Sequence, residues 1–394
     1  MPKTRPFAAA LLAFACAAAG AAPFTPRSDA EVVEKLPSAT DPALRRVDSL
    51  RRQLASRPDD AELRLDIARR YFDLAMAQGD PRYVGYASSA LAPLDKSAPN
   101  DARYWLAKGL VQQYQHDFDA ALASLARSSA LAPESAEPVG WRAAIHMVQA
   151  RPQQALAECR RLEEIGAGLY AQGCTAYARA ATGQLEEAYR SLDQAVAQAP
   201  SVPPGLALWL HTRLAEMALR LDRLDAAQRH FSLAMQQGVT DQFLLGAYAD
   251  FLLWRDRPVE AMQLLYGWER SDILLLRMAL AARSAKDERA EAWSRQLRER
   301  FEAAARRGDT LHEQEAARFA LDIEGKPAEA LVLARSNYVK QKEPRDAEIL
   351  IRAALAARDP KAAQPALDWL RESRFEDSHL HALAGQLAAT GASR

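Results

Sequence analysis

Residues 105–133 read WLAKGLVQQYQHDFDAALASLARSSALAP. With Ala121 as origin, Phe118 lies three residues before it, and Leu125, Ser128 and Pro133 lie four, seven and twelve after. The frame returns as Leu185, Ala188, Leu192, Ala195 and Pro200, and again as Leu224, Ala227, Phe231 and Ala234, with Val239 in place of the proline. Val84, Ala87, Leu91 and Leu94 form a further copy. In four others the residue three before the alanine is proline: Pro152, Pro258, Pro327 and Pro360, before Ala155, Ala261, Ala330 and Ala363. Proline suits the first turn of a helix, where its missing N–H deprives no carbonyl of a partner.

With one degenerate copy near Ala290, the spacing averages about 34.5 residues, a period that marks stacked supersecondary units. Each unit holds two amphipathic segments joined by a short turn such as QHD (115–117), TGQ (182–184) or EGK (324–326), so each reads as a helical hairpin. The hairpins fall at about 59–94, 101–133, 137–165, 168–200, 206–238, 241–269, 271–306, 311–341 and 345–374. Residues 41–58 read as a helix that starts at Asp41-Pro42, preceded by an extended, Pro-rich stretch from residue 22. Residues 376–390, within a C-terminal segment 375–394, read as a last helix covering the end of the array.

Trp105, Gly109, Phe118, Ala121, Leu125 and Pro133 at this period resemble the tetratricopeptide repeat (TPR), over roughly residues 59–374. The resemblance implies an all-α fold: an α-solenoid, wound as a right-handed superhelix, of about nine TPR-like hairpins with a C-terminal capping helix. Composition agrees. Alanine dominates, glycine is sparse at 17, and asparagine occurs only at Asn100 and Asn337, which favours helix over strand. At 49% hydrophobic and 26% charged, the 394-residue chain has ordinary globular usage. Basic and acidic residues balance at 51 each, so no global field draws nucleic acid or an anionic membrane.

The N-terminus, MPKTRPFAAALLAFACAAAGAAPF, places Lys3 and Arg5 before an apolar run from Phe7 to Ala22, with Ala19 and Ala21 spaced for signal-peptidase cleavage. Residues 1–21 therefore read as a secretory signal and the protein as exported, periplasmic or secreted. The run is shorter than the ~20 apolar residues that cross a bilayer, so no membrane span is expected. Anchoring through Cys16 as a lipoprotein is disfavoured, because Ala13-Phe14-Ala15 lacks the expected leucine and sets a bulky ring beside the cleavage site. Cys159 and Cys174 survive maturation. In an oxidising compartment they can pair, closing a loop of about 15 residues worth roughly 3 kcal/mol, or they can be two small buried residues.

Motifs for chemistry are absent. The seven histidines are scattered one or two per hairpin with no HExxH, and His379 and His381 point to different faces of a helix. No GxSxG, GxGxxG or GxxxxGK[ST] occurs. In the arginine-rich stretch 294–307, Glu299 and Glu302 interleave at helical spacing, as in a salt-bridged exposed helix. No cofactor, metal, nucleic-acid partner or enzymatic activity is expected.

In tetratricopeptide arrays the leading helix of each hairpin lines a concave face. The resemblance carries that role to Arg69 and Phe72, Leu110 and Tyr114, Tyr170 and Tyr177, Trp209 and Glu216, Phe243, Asp250 and Trp254, and Phe319. Such a face, rich in rings with Glu216 and Asp250 between them, suits an extended or helical peptide with apolar and basic residues. The competing reading is that several of these rings fill the interior. The expected function is an exported adaptor or scaffold that binds a protein or peptide partner, an envelope protein, in this groove. The alternatives are a structural subunit of an envelope export or secretion machine, bound through its convex face or ends, and an enzyme or metal carrier.

Overall fold

The computed structural model describes Ser28 and residues 42–392, and the chain divides into two units after Arg45. Of the first unit only Ser28 and the opening residues of one helix are described. The signal segment expected at 1–21 lies outside the described residues, as do 22–41 apart from Ser28.

The second unit has no strand among its described residues. α1 (Pro42–Ser56) precedes a first hairpin of α2 (Ala61–Gln78) and α3 (Arg82–Leu91), followed by one turn of helix, α4 (Leu94–Ser97). Four hairpins follow: α5 (Ala102–Tyr114) with α6 (Phe118–Leu131), α7 (Ala136–Val148) with α8 (Pro152–Glu164), α9 (Leu169–Ala180) with α10 (Leu185–Gln198), and α11 (Pro204–Arg220) with α12 (Leu224–Met235). Three more pair α13 (Gln242–Trp254) with α14 (Pro258–Leu264), α15 (Asp272–Ala285) with α16 (Ala290–Arg306), and α17 (Glu313–Asp322) with α18 (Pro327–Lys340). In the ninth, α19 (Pro344–Ala357) meets a 3-10 turn (Pro360–Ala363) that runs into α20 (Gln364–Ser373). α21 (Ser378–Ala392) packs on α19 and on that 3-10 turn.

The anchor alanines explain why the hairpins close. Ala87, Ala121, Ala155, Ala188, Ala227, Ala261, Ala330 and Ala363 are all buried, none above 3% exposed. Opposite one of them, a Cβ added at Gly109 would stand 2.7 Å from Leu125 Cγ, so glycine is what lets α5 touch α6. Inside each hairpin the turn contains one residue in the left-handed backbone region: Gly79, His116, Ala150, Gly183, Asp222, Asp256, Lys286, Gly325 and Arg358. In seven hairpins that residue lies five positions before the anchor.

The seventh copy corrects the expected register. α16 begins at Ala290, where the sequence pattern placed the degenerate copy, and the buried residue at the closest approach is Ser294. Serine is tolerated there because it is nearly as small as alanine and its hydroxyl donates to the Ala290 carbonyl at 2.7 Å. The shift arises in the turn, where Lys286 precedes the anchor by eight residues, as Gly79 precedes Ala87. Both longer turns are built alike. The Asp80 carboxylate accepts from the Arg82 N–H at 3.0 Å, and that of Asp287 accepts from the Arg289 N–H at 2.9 Å.

Leading helices from α5 to α19 stack side by side, and the stack turns tightly. A Cβ on Gly79, at the end of α2, would run into the side chains of Gln242 and Ser271, which precede or open the sixth and seventh hairpins. The Lys342 N–H, ahead of the ninth hairpin, donates to the carbonyl of Val148 at the end of α7, at 2.8 Å. Leu185 N–H, opening α10, donates to Glu376 Oε2, beyond the ninth hairpin, at 2.7 Å. Each link joins segments five or six hairpins apart, so the solenoid completes a turn in that span and its second coil rests on its first.

Cys159 on α8 and Cys174 on α9 are joined as a disulfide, with their Cα atoms 5.5 Å apart, tying the third hairpin to the fourth. Two outcomes follow. Ala188→Trp should overpack the α9–α10 approach and lower stability by about 1–3 kcal/mol, read as an earlier denaturant midpoint; an unmoved midpoint contradicts the register. In a chain beginning at residue 22, thiol titration after denaturation without reductant should find no reactive thiol. Reduction should then cost about 3 kcal/mol.

Candidate functional site

Charged side chains on successive leading helices pair with one another. Asp250 on α13 binds Arg277 on α15 and Arg318 on α17, each at 2.7 Å. Arg318 also reaches Asp322 at 3.6 Å, and Asp322 accepts from Arg352 on α19 at 2.5 Å. Arg352 lies 3.6 Å from Glu348, and Glu348 lies 3.7 Å from His379 on α21. One chain of alternating charge thus crosses five helices. Toward the other end, Arg69 pairs with Asp73 at 2.9 Å and with Glu137 on α7 at 2.7 Å.

Burial would raise the Asp250 carboxyl, but Arg277 and Arg318 outweigh it and hold the group below the usual range. Glu216 is in the opposite balance: burial raises it, with Arg213 at 2.9 Å opposing. Burial also works against ionising Glu315, yet His312 and the guanidiniums of Arg345 and Arg277 hold it at about 2. Tyr114 is pushed up by burial and by the carboxylates of Asp80, Asp272 and Glu315, which come from three other hairpins. Arg213 and Glu216 keep 16% and 35% of their side-chain surface, with the Tyr177 ring of the fourth hairpin and the Glu343 carboxylate ahead of the ninth near them.

The residues expected to line an open groove divide into three groups. Phe72 and Phe319 are core residues, 3% and 4% exposed, set edge-on against Trp141 and Phe301, and Leu110 is fully buried with them. Arg69, Glu216 and Asp250 sit on the axial side but are already ion-paired, so they are not free acids and bases awaiting a peptide. Tyr114, Tyr170, Tyr177 and Trp209 are half-buried. Tyr170 stands T-shaped to Trp209 with centroids 5.6 Å apart, burial lifts its hydroxyl to about 12, and Arg213 covers the Tyr177 ring at 4.8 Å. Phe243 and Trp254 remain exposed, at 37% and 53%.

The fold also assembles groups that are far apart in sequence. His211 and His230 stack with their Nδ1 atoms 3.2 Å apart, and His230 Nε2 lies 3.3 Å from Tyr189 Oη and 3.4 Å from Asp193. Burial pushes His230 down to about 4 and lowers His211 as well, so both are neutral near pH 7. The usable signal was that α11 and α12 form one hairpin, which sets His211 and His230 on facing helices. Among the described residues no group of three or more His, Cys, Asp or Glu is arranged to hold a metal ion, and no helix is long and apolar enough to cross a membrane. A cleft of about 640 Å³ lies between the coils, lined by Gln149, Tyr338, Lys342, Trp369 and Arg374 among others.

Among the described residues, nine stacked helical hairpins whose leading helices are linked by ion pairs define a helical-repeat solenoid. Among solved structures, the chain is similar to PilW, a type IV pilus biogenesis factor, at 18% identity and a TM-score of 0.39, over 59% of this chain and 97% of that one. It is similar to yeast Tom70 at 13% identity and a TM-score of 0.41, over 89% and 85%. The TPR domain of P58(IPK) aligns at 13% identity and a TM-score of 0.27, over 85% and 99%. No family model matches the chain, and no curated protein does.

Removing one member of the axial chain tests its weight. Asp250→Ala should cost about 3 kcal/mol, because Arg277, with only 4% of its side chain exposed, is left without its carboxylate. The folded Asp250 titrates below an unfolded aspartate, so its contribution is whole above about pH 4 and is lost as pH falls through the lower folded value. Equal acid unfolding of native and Asp250→Ala chains between pH 5 and 2 would contradict this.

Proposed function

We propose that this chain is an exported TPR-type scaffold that binds a protein or peptide partner through the leading-helix face and serves assembly or maintenance of a cell-envelope complex. The observation that carries the binding face is the pair Phe243 and Trp254, large rings exposed at the two ends of one leading helix. Rings of this kind bring contact area at low entropic cost and are enriched at binding hot spots. Since Glu216 and Asp250 are neutralised within the chain, the preferred partner segment is apolar rather than basic. Export is supported by the composition of residues 1–21 and by the Cys159–Cys174 bond, because disulfides persist in oxidising compartments.

A second reading has its own support. Tyr266 (79%), Val332 and Val339 are exposed on or just beyond the trailing helices α14 and α18, on the opposite side of their hairpins. A structural subunit of an envelope machine would use that side.

Capture from cell-envelope extract separates the two. The native chain, Phe243→Ser/Trp254→Ser and Tyr266→Ser/Val332→Ser/Val339→Ser would be compared after circular dichroism shows each folded. Partners lost only from the first variant, by tenfold or more, are the expected result. Loss only from the second moves the structural-subunit reading ahead.

A further inference from the structure

The junction between α20 and α21 reaches back across the coil onto the fourth and fifth hairpins. Phe375 is buried in a small cluster with Leu370 and Leu380, against Ala181 at the end of α9, apart from the main apolar core. The Arg220 guanidinium lies over the Phe375 ring, 3.8 Å from its centroid. Its Nε donates to the Glu376 carbonyl at 2.9 Å and its Nη2 to the Ala180 carbonyl at 2.5 Å. The Glu376 carboxylate, in turn, accepts from Leu185 N–H at 2.7 Å. α10 takes no cap from its own Gln184, so Glu376 satisfies a donor at the start of α10 from 191 residues away, with its charge at the favourable end of the helix dipole. Ser378 Oγ donates to Asp222 Oδ1 at 3.3 Å.

Elsewhere the two coils meet mainly through polar groups, some of them buried, such as Gln242 and Ser271. The Lys342–Val148 backbone bond and the approach of Gly79 to Gln242 and Ser271 are polar or van der Waals contacts, and the 640 Å³ cleft separates the coils beside Lys342. An interface of small, mostly polar contacts resembles those between domains that move, whereas neighbouring hairpins share continuous apolar cores. We infer that Phe375 and Glu376 form a releasable latch that holds the second coil shut on the fourth and fifth hairpins, and that its release uncovers the axial face around Tyr177, Arg213 and Glu216. That the uncovered face receives a partner rests on the function proposed above. The latch does not.

Two cysteine pairs test the closed state. A Cβ on Gly183 would stand 3.2 Å from Arg374 Cβ, near disulfide reach, so Gly183→Cys/Arg374→Cys should cross-link in oxidising buffer; Asp222→Cys/Ser378→Cys is a second pair whose backbone at residue 183 is undisturbed. Both pairs remaining reduced overturns the closure. Release is tested with Phe375→Ala/Glu376→Ala and, separately, Arg220→Leu. Each should keep its far-ultraviolet dichroism, shift X-ray scattering to a larger radius of gyration, and speed amide exchange at least tenfold in residues 177–220 and 341–343. Unchanged scattering and exchange in both folded variants overturns the latch. In the capture experiment, locked variants should hold several-fold less partner and released ones more, and equal capture by all overturns the gating. If the native chain captures nothing, the proposed function fails, and scattering and exchange still decide the latch.

Discussion

Two helices can lie at their closest separation only where neither carries a side chain larger than that of alanine or serine at the crossing, and that constraint sets this structure. Eight alanines and one serine occupy the crossing in the nine hairpins, all of them buried. A hairpin closed in this way presents a fixed pair of faces, so the next one stacks at a repeated angle and a solenoid grows by addition. The second requirement lies in the turn. A residue in the left-handed region reverses the chain in every hairpin, and in only three of the nine is it glycine. Six hairpins therefore bear the crowding of a side chain in that region, about 1 kcal/mol or more each, against the packing it permits.

Local spacing made the hairpins legible because both constraints are local. The expected hairpin 101–133 contains α5 (Ala102–Tyr114) and α6 (Phe118–Leu131), and the last helix starts at Ser378 rather than at 376. Ser294 escaped because a turn three residues longer moved the anchor and because its residue is not alanine. The matching DPR (80–82) and DER (287–289) turns were the available signal, since each aspartate caps its own turn. The division of Phe72, Phe319 and Trp254 between core and surface was not legible. All three sit on leading helices, and what each meets comes from another hairpin: Phe72 packs on Trp141 of the third and Phe319 on Phe301 of the seventh, while Trp254 stays exposed.

Tight winding also explains why the axis is charged. Leading helices that converge after five or six hairpins bring their inner faces together, and an apolar inner face would collapse into a second core with no need of the trailing helices. Alternating charges resist that collapse. Asp250 cannot leave Arg277 and Arg318 without stranding a nearly buried guanidinium, so the network fixes which helices face one another while adding little net stability. The cost is that the acids sequence reading assigned to a partner are already engaged.

The disulfide falls on the helix that receives the far end of the array. Cys174 lies on α9, whose C-terminal end carries Ala181 and the turn at Gly183, and these receive Phe375 and Arg374 from the far end of the array. A hairpin used as a docking surface by a segment about 190 residues away must not shift when that segment leaves, or the site would be lost with the contact. Tying α9 to α8 covalently holds the receiving surface whether or not it is occupied. Both halves of a reversible closure are then present: a docking site stiffened by a bond the axial contacts do not need, and a docked segment held by the small Phe375 cluster and a few polar contacts to Arg220, Leu185 and Asp222.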